Sequence, residues 1–300
     1  MIIQQRPEPL EILIFRILFE RLVLPENHII FSEKGYEGEL RSDKWLEGLN
    51  DSWLVLHGLL LEYNGSMFQI DTLIIAHEKL YLLDVKNYEG DYYLEDDKWF
   101  TKTNPNLKNP LHQLIRCETL LLKLLLELGY NYPIESYLIF NNPEFHLYMT
   151  TIKSSIIFPS QLNRFLKKLN TQPVKLNSNH HKLAHQLASL HIVESPYTRL
   201  PNYTFEQIKK GILCPVCRTY FLKVCKGKFT CGHCGCEECV DAAVLRNVKE
   251  YRMLFPDRKI TTNYIYEWCG SIVSKKTIRR NLLKHFKLIG HSVSSHYTQR

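Results

Sequence analysis

The run PLEILIFRILFERLVL (residues 9–24) alternates apolar and charged residues at near-helical spacing, and Pro25 ends it. That pattern predicts a first helix. After a loop, FSEKGYEGELRSDKWLEGL predicts a second helix beginning around Tyr36. The period then changes. Trp53–Leu61, Met67–Ala76 and Leu80–Asn87 are apolar runs of strand length, and the short link His77-Glu78-Lys79 makes the last two a hairpin. Gly90–Thr103 continues as a more polar, aromatic-spotted meander. Asn109-Pro110 opens a long helix that Gly129 stops. Glu135–Asn141 and Ser154–Phe158 read as strands, and Gln161–Leu169 and His181–His191 as helices. Strands mixed with helices over residues 30–200 predict an α/β domain.

Composition adds two asymmetries. Residues 1–200 hold 20 Lys+Arg against 24 Asp+Glu, whereas residues 201–300 hold 18 against 7. A basic last third on a slightly acidic body points to a polyanionic partner. Seven of the nine cysteines fall between Cys214 and Cys239. The longest apolar stretches, Glu11–Leu24 and Thr119–Leu128, are interrupted by charges, and a bilayer span takes ~20 nearly unbroken apolar residues. With no basic segment and apolar core at the N-terminus to act as a secretory signal, a cytoplasmic protein with no membrane partner is expected. In that compartment a cysteine cluster favours metal over disulfides.

The densest chemistry of the first part lies on the hairpin. Side chains alternate along a strand, so Asp84 and Lys86 share a face and Val85 takes the other. Asp71 on the neighbouring run lies within cross-strand reach of Asp84. Two carboxylates inside otherwise apolar strands need a positive partner, and a divalent cation such as Mg²⁺ is held by one or two carboxylates with waters and phosphate. Lys86 would stand beside it, orienting a water or offsetting charge on a phosphoryl group.

The order GYEGEL (Gly35–Leu40), FQIDTLII (Phe68–Ile75), LYLLDVKNYEG (Leu80–Gly90), Trp99 and NPLHQL (Asn109–Leu114) resembles the NERD, or nuclease-related, domain, a family similar to the PD-(D/E)XK nucleases. The resemblance covers about residues 31–145. It implies a restriction-endonuclease-like mixed sheet flanked by helices and phosphodiester cleavage dependent on Mg²⁺ or Mn²⁺. By the same resemblance the catalytic residues are Glu39, Asp71, Asp84, Lys86 and Gln113, with Asp71 and Asp84 as metal ligands. Asp84 stands where the family more often carries Glu, which sets its carboxylate one methylene further back.

In the second part, Cys214-Pro-Val-Cys217 and Cys231-Gly-His-Cys234 are two C-x₂-C knuckles, with 13 residues between Cys217 and Cys231. That spacing suits tetrahedral Zn²⁺ held by four thiolates in a structural site. Two short strands about Lys226-Gly227-Lys228 would make the unit a zinc ribbon. Cys236 and Cys239 form a competing C-x₂-C pair, and His233 is an alternative nitrogen ligand. Gly235, placed as a knuckle turn requires, favours Cys231 and Cys234.

Asp241–Phe255 and Thr262–Cys269 predict helices. Ser274 caps a third, SKKTIRRNLLKHF, in which Ile278, Leu282 and Phe286 face inward. Lys275, Lys276, Arg279, Arg280 and Lys284 project elsewhere. Helix, glycine turn and basic helix have a helix-turn-helix shape, with HSVSSHYTQR as a wing, and would bind nucleic acid, DNA by preference. The expected organisation is an N-terminal helix (1–30), a nuclease-like α/β domain (31–200), a zinc ribbon (208–240) and an all-α helix-turn-helix or winged-helix region (241–300). The enzyme reading is a DNA-directed metal-dependent nuclease. Its alternative is a nucleic-acid-binding protein built from the same parts that does not cut.

Overall fold

The computed structural model describes residues 1–22, 27–50, 52–105, 107–149, 153–172, 175–193, 200–221, 224–225, 227–291 and 295–299. Its elements run β1 (Ile2–Gln4), α1 (Leu10–Arg21), α2 (Asn27–Leu46), β2 (Leu54–Tyr63), β3 (Ser66–Ile75), β4 (Leu80–Lys86), β5 (Gly90–Glu95) and β6 (Lys98–Phe100). There follow α3 (Pro110–Glu127), β7 (Ile134–Phe140), β8 (Phe145–Met149), β9 (Ile156–Ile157), α4 (Leu162–Asn170) and α5 (Ser178–Ser189). The last third holds β10 (Val224–Cys225), β11 (Lys228–Thr230), β12 (Glu237–Cys239), α6 (Val240–Leu254), α7 (Thr262–Trp268), α8 (Lys275–His285), β13 (Lys287–Ile289) and β14 (His296–Thr298).

The chain divides into two compact units. Residues 1–9 and 27–198 form the first, and residues 10–26 and 199–300 the second. Among the described residues, no helix is long and apolar enough to cross a membrane.

The first unit is built on a mixed sheet of order β1-β2-β3-β4-β7-β9. β2, β3 and β4 are antiparallel neighbours, whereas β1 on β2, β7 on β4 and β9 on β7 are parallel. Both faces are covered, which explains why β3 and β4 read as nearly continuous apolar runs rather than alternating ones. One face packs Leu56, Leu73, Leu82 and Leu138 against Leu114, Leu121 and Leu125 of α3 and Leu183 and Leu187 of α5. The other packs Val55, Ile74, Leu83, Val85 and Ile139 against Leu46 of α2 and Phe165 and Leu169 of α4.

The polar meander is more than a connection. β5 and β6 join β8 in a separate three-stranded sheet of order β6-β5-β8, and Leu94, Trp99, Phe145 and Leu147 from it enter the α3-side core. β8 escaped the sequence reading because its alternation, buried Phe145 and Leu147 against exposed His146 and Tyr148, is only five residues long. The second helix also starts earlier than its pattern suggested, at Asn27 rather than around Tyr36. Gly35 and Gly38 weaken the helical signal there, but Gly38 is required by packing. A Cβ at Gly38 would stand 2.4 Å from the Cβ of Asn87, just beyond β4.

The second unit has its own core. Cys214, Phe221, Phe229, Val244, Tyr251, Trp268, Ile278, Leu282 and Phe286 pack together with Ile14, Ile17 and Leu18 of α1. Arg21 of α1 is buried in it, donating to the Glu250 carboxylate at 2.7 Å and to the Gly211 carbonyl at 3.0 Å. β10, β11 and β12 form a small antiparallel sheet, of which the sequence had suggested the first two strands. α6, α7 and α8 follow, with Ser274 capping α8 through Thr277 N–H, and β13 pairs with β14 as an antiparallel hairpin.

Candidate functional site

The β3–β4 ladder ends at the Thr72–Leu83 pair, one residue short of Asp71 and Asp84. From there the Asp71 side chain takes the place of backbone pairing: Val85 N–H donates to Asp71 Oδ2 at 2.7 Å. Asp71 and Asp84 are both buried, at 8% and 6% exposure. Lys86, two residues along β4, donates from Nζ to Asp84 Oδ1 at 3.0 Å and approaches Gln113 Oε1 at 3.5 Å. Lys86 Nζ also lies 2.9 Å from Asp84 Oδ2, yet that buried oxygen accepts no hydrogen bond among the described residues.

Burial, reinforced by Asp71, pushes the Asp84 carboxyl up to about 7 against the pull of Lys86. Burial tends to lower Lys86, but Asp84 and Asp71 outweigh it and hold the ammonium above its ordinary value. Two buried acids sharing one lysine are under-compensated for charge.

Gln113 comes from the first turn of α3. Asn109 starts that helix, accepting from Leu111 N–H, and Pro110 follows it. Glu39 comes from the middle of α2 and is pushed up to about 8, first by burial and then by the Asp71 charge. Glu39, Asp71, Lys86 and Gln113 line one open cleft of about 820 Å³, together with Lys34, Lys108, His112 and Arg116. The basic residues make the cleft a place for an anion, and the N-terminal end of α3 at Pro110 adds the positive end of a helix dipole.

The sequence reading missed Arg6, Asp43 and His57. Arg6 reaches Glu39 at 2.5 Å and Asp43 at 2.7 Å, and His57 Nδ1 lies 2.9 Å from Asp43. The Glu39/Asp43 spacing of i, i+4 places both acids on one helix face, which was the available signal. Nothing in the local pattern marks Arg6.

The hard oxygen donors Asp71 and Asp84, with one buried oxygen accepting no hydrogen bond, suit Mg²⁺ or Mn²⁺, which keep several waters. Glu39 does not join them in a tight three-carboxylate group. Among the described residues, only Cys214, Cys217, Cys231 and Cys234 bring three or more ligand atoms within 4.8 Å of one another.

That cysteine group fits a zinc ribbon. Sγ–Sγ separations are 3.6 Å for Cys214–Cys234 and 3.4 Å for Cys217–Cys231, against about 3.8 Å between thiolates placed ~2.3 Å from a tetrahedral ion. The two knuckles close alike. Arg218 N–H donates to the Cys214 carbonyl at 3.1 Å and Gly235 N–H to the Cys231 carbonyl at 3.0 Å, with φ of +61° and +73° at the closing residues. Of the rival pair, Cys239 is otherwise engaged: its Sγ accepts from Ala242 N–H and caps α6. The Cys225 side chain lies outside the described residues.

Ile278 and Leu282 of α8 and Phe286 just after it are buried, and Lys275, Lys276, Arg279, Arg280 and Lys284 are exposed. They are not equally available. Arg280 and Lys284 lie 3.2 and 3.9 Å from Asp241, and Lys275 stands 5.1 Å over the Tyr266 ring.

Comparison with known proteins gives matches to part of the chain. An uncharacterized protein of Bacillus anthracis is 30% identical over 116 residues, covering 35% of this chain and 54% of that protein. The chain thus spans about half the length of the curated relative it matches. No solved structure matches. Residues 34–141 match the family model of the nuclease-related domain, and that stretch contains Glu39, Asp71, Asp84, Lys86 and Gln113.

Proposed function

We propose that the chain is a divalent-metal-dependent nuclease whose first unit hydrolyses phosphodiesters and whose basic second unit binds the nucleic acid, DNA by preference. The observation that carries this reading is the convergence of Asp71, Asp84 and Lys86 at one end of a cleft lined by further basic side chains. The match to the nuclease-related domain supports it.

Asp71 and Asp84 would hold Mg²⁺ or Mn²⁺, which when bound polarises a phosphoryl oxygen and lowers the pKa of a coordinated water. Lys86, kept charged by the two acids, is placed to orient an attacking water and to offset the charge that develops on the phosphorus-bound oxygens. Gln113, close to the Lys86 ammonium, can hydrogen-bond a water or a phosphate oxygen. Lys34, Lys108 and Arg116 along the cleft would take flanking phosphates.

In the second unit the four thiolates would hold structural Zn²⁺, since four protein ligands leave no open position for substrate. Lys275, Lys276 and Arg279 supply phosphate contacts from α8, with Arg280 and Lys284 released only if Asp241 yields them. α7, α8 and the β13–β14 hairpin would act as a helix-turn-helix with a wing.

The test is plasmid nicking by the purified full chain with Mg²⁺ or Mn²⁺. Lys86→Ala should lose about 10²–10³-fold in rate, as for removal of one charge-stabilising donor. Equal nicking by both proteins would assign the activity to a contaminant. DNA retention without metal-dependent nicking would leave the binding-only alternative.

A further inference from the structure

Arg6 lies at the end of the β1 segment, outside the stretch that matches the nuclease-related domain, and its side chain is only 3% exposed. Every nitrogen of its guanidinium is engaged. Nε and Nη2 donate to the two carboxylate oxygens of Asp43 at 2.7 and 2.8 Å, and Nη1 donates to Glu39 Oε2 at 2.5 Å. Nη2 also donates to the backbone carbonyl of Asp71 at 2.7 Å, with Thr72 Oγ1 at 3.4 Å.

One planar cation therefore ties helix α2, through two acids four residues apart, to strand β3 at the residue that carries the first candidate metal ligand. A planar five-donor fork can do this where a lysine cannot. The fork is itself held in place. His57 Nδ1 lies 2.9 Å from Asp43 Oδ1 and 3.2 Å from Thr72 Oγ1, so Asp43 is gripped from two sides. β2 makes room for the segment at Gly58, whose φ is +64° and where a Cβ would stand 3.2 Å from Pro7 and 3.4 Å from Arg6. A residue kept this deeply buried, with two carboxylates and a carbonyl all directed at it, is costly unless the arrangement is complete.

We infer that Arg6 is a positioning residue of the metal centre, fixing Glu39 and the Asp71 backbone from outside the stretch that carries the other candidate site residues. This rests on the reading of Asp71 and Asp84 as metal ligands. Arg6 reaches the site by holding other groups. It lets Glu39 stay beside Asp71, which would otherwise repel it, and it holds the Asp71 carbonyl. Loss of an outer partner of this kind typically costs about 10- to 100-fold in metal affinity.

The experiment measures Mn²⁺ affinity, thermal midpoint and Mn²⁺-dependent nicking on the full chain for wild type, Arg6→Met and Arg6→Lys. Mn²⁺ affinity should fall about 10- to 100-fold in Arg6→Met. Arg6→Lys, which keeps the charge and loses the fork, should recover part of that loss while remaining folded. Wild-type Mn²⁺ affinity in folded Arg6→Lys and Arg6→Met would overturn the inference. So would failure of both variants to fold, which would make Arg6 a tie of the fold alone. Should the wild type bind Mn²⁺ without nicking DNA, the nuclease reading fails and the affinity comparison still decides the role of Arg6. Absence of Mn²⁺ binding by the wild type would overturn both.

Discussion

The cysteine group and the acid cleft are two metal-binding arrangements assembled by opposite means. Four thiols come from one short stretch, Cys214 to Cys234, and two similar turns present them. The acids and their partners come from the segment after β1 and from α2, β3, β4 and α3, brought together only when a six-stranded sheet has formed. Around the thiols the strands are two or three residues long, and of the four cysteines Cys214 and Cys231 enter the second unit's core as buried residues whereas Cys234 is exposed. Around the acids, Lys86 and Arg6 supply cations of the chain's own and a large apolar core surrounds them. A metal should therefore be a folding element in the first arrangement and a reagent in the second.

The largest effect that could break this contrast is expected at the cysteines. Cys214→Ser should abolish a zinc content of about one per chain. It should also unfold the ribbon, because metal affinity in such units is of order 10–16 kcal/mol and doubles as folding free energy. Metal analysis with circular dichroism checks it, and a metal-free, fully folded ribbon would remove the contrast. By comparison, chelation should leave the first unit folded while stopping any nicking.

Proton competition sharpens the same point. With Asp84 at about 7 and Glu39 at about 8, protons bind these groups more tightly in the fold than in the unfolded chain. The metal-free fold should thus lose stability as pH rises from about 4 to about 8. Mn²⁺ affinity should move the other way, rising through that window as the carboxyls release their protons. Melting curves with and without Mn²⁺ from pH 5 to 9 read both, and a metal affinity that falls with pH would contradict the charge assignment.

A smaller effect is expected on the basic helix. Replacing Lys275, Lys276 and Arg279 together by Ala should flatten the slope of log affinity against log salt by about 0.9 for each phosphate left without its cation. An unchanged slope would remove α8 from nucleic-acid binding. Smallest in consequence for chemistry is Gly38→Ala, which forces α2 off Asn87 and should cost about 1–3 kcal/mol by overpacking. Denaturant titration measures it.

The two arrangements were also unequally legible. The C-x₂-C pairs announce themselves because the ligands are neighbours in sequence, and the choice of Cys231 and Cys234 over Cys236 and Cys239 could be argued from Gly235 alone. The hairpin acids were legible because charges interrupt apolar strands that are covered on both faces. Arg6 was invisible. Its partners lie 33 to 65 residues away, and long-range pairing of that sort leaves no period in the chain. β8 and β12 were lost for a different reason, since strands of five and three residues carry too few alternations to register.

Residues 10–26 belong to the same unit as residues 199–300, and Ile14, Ile17 and Leu18 find their apolar neighbours there. During synthesis α1 is made before residues 27–198, whereas the side chains that cover it are made after them. At about 5–20 residues per second, its apolar face stays uncovered for some ten seconds or more while the intervening unit folds. The chain thus carries a built-in delay between the making of α1 and the burial of its apolar face.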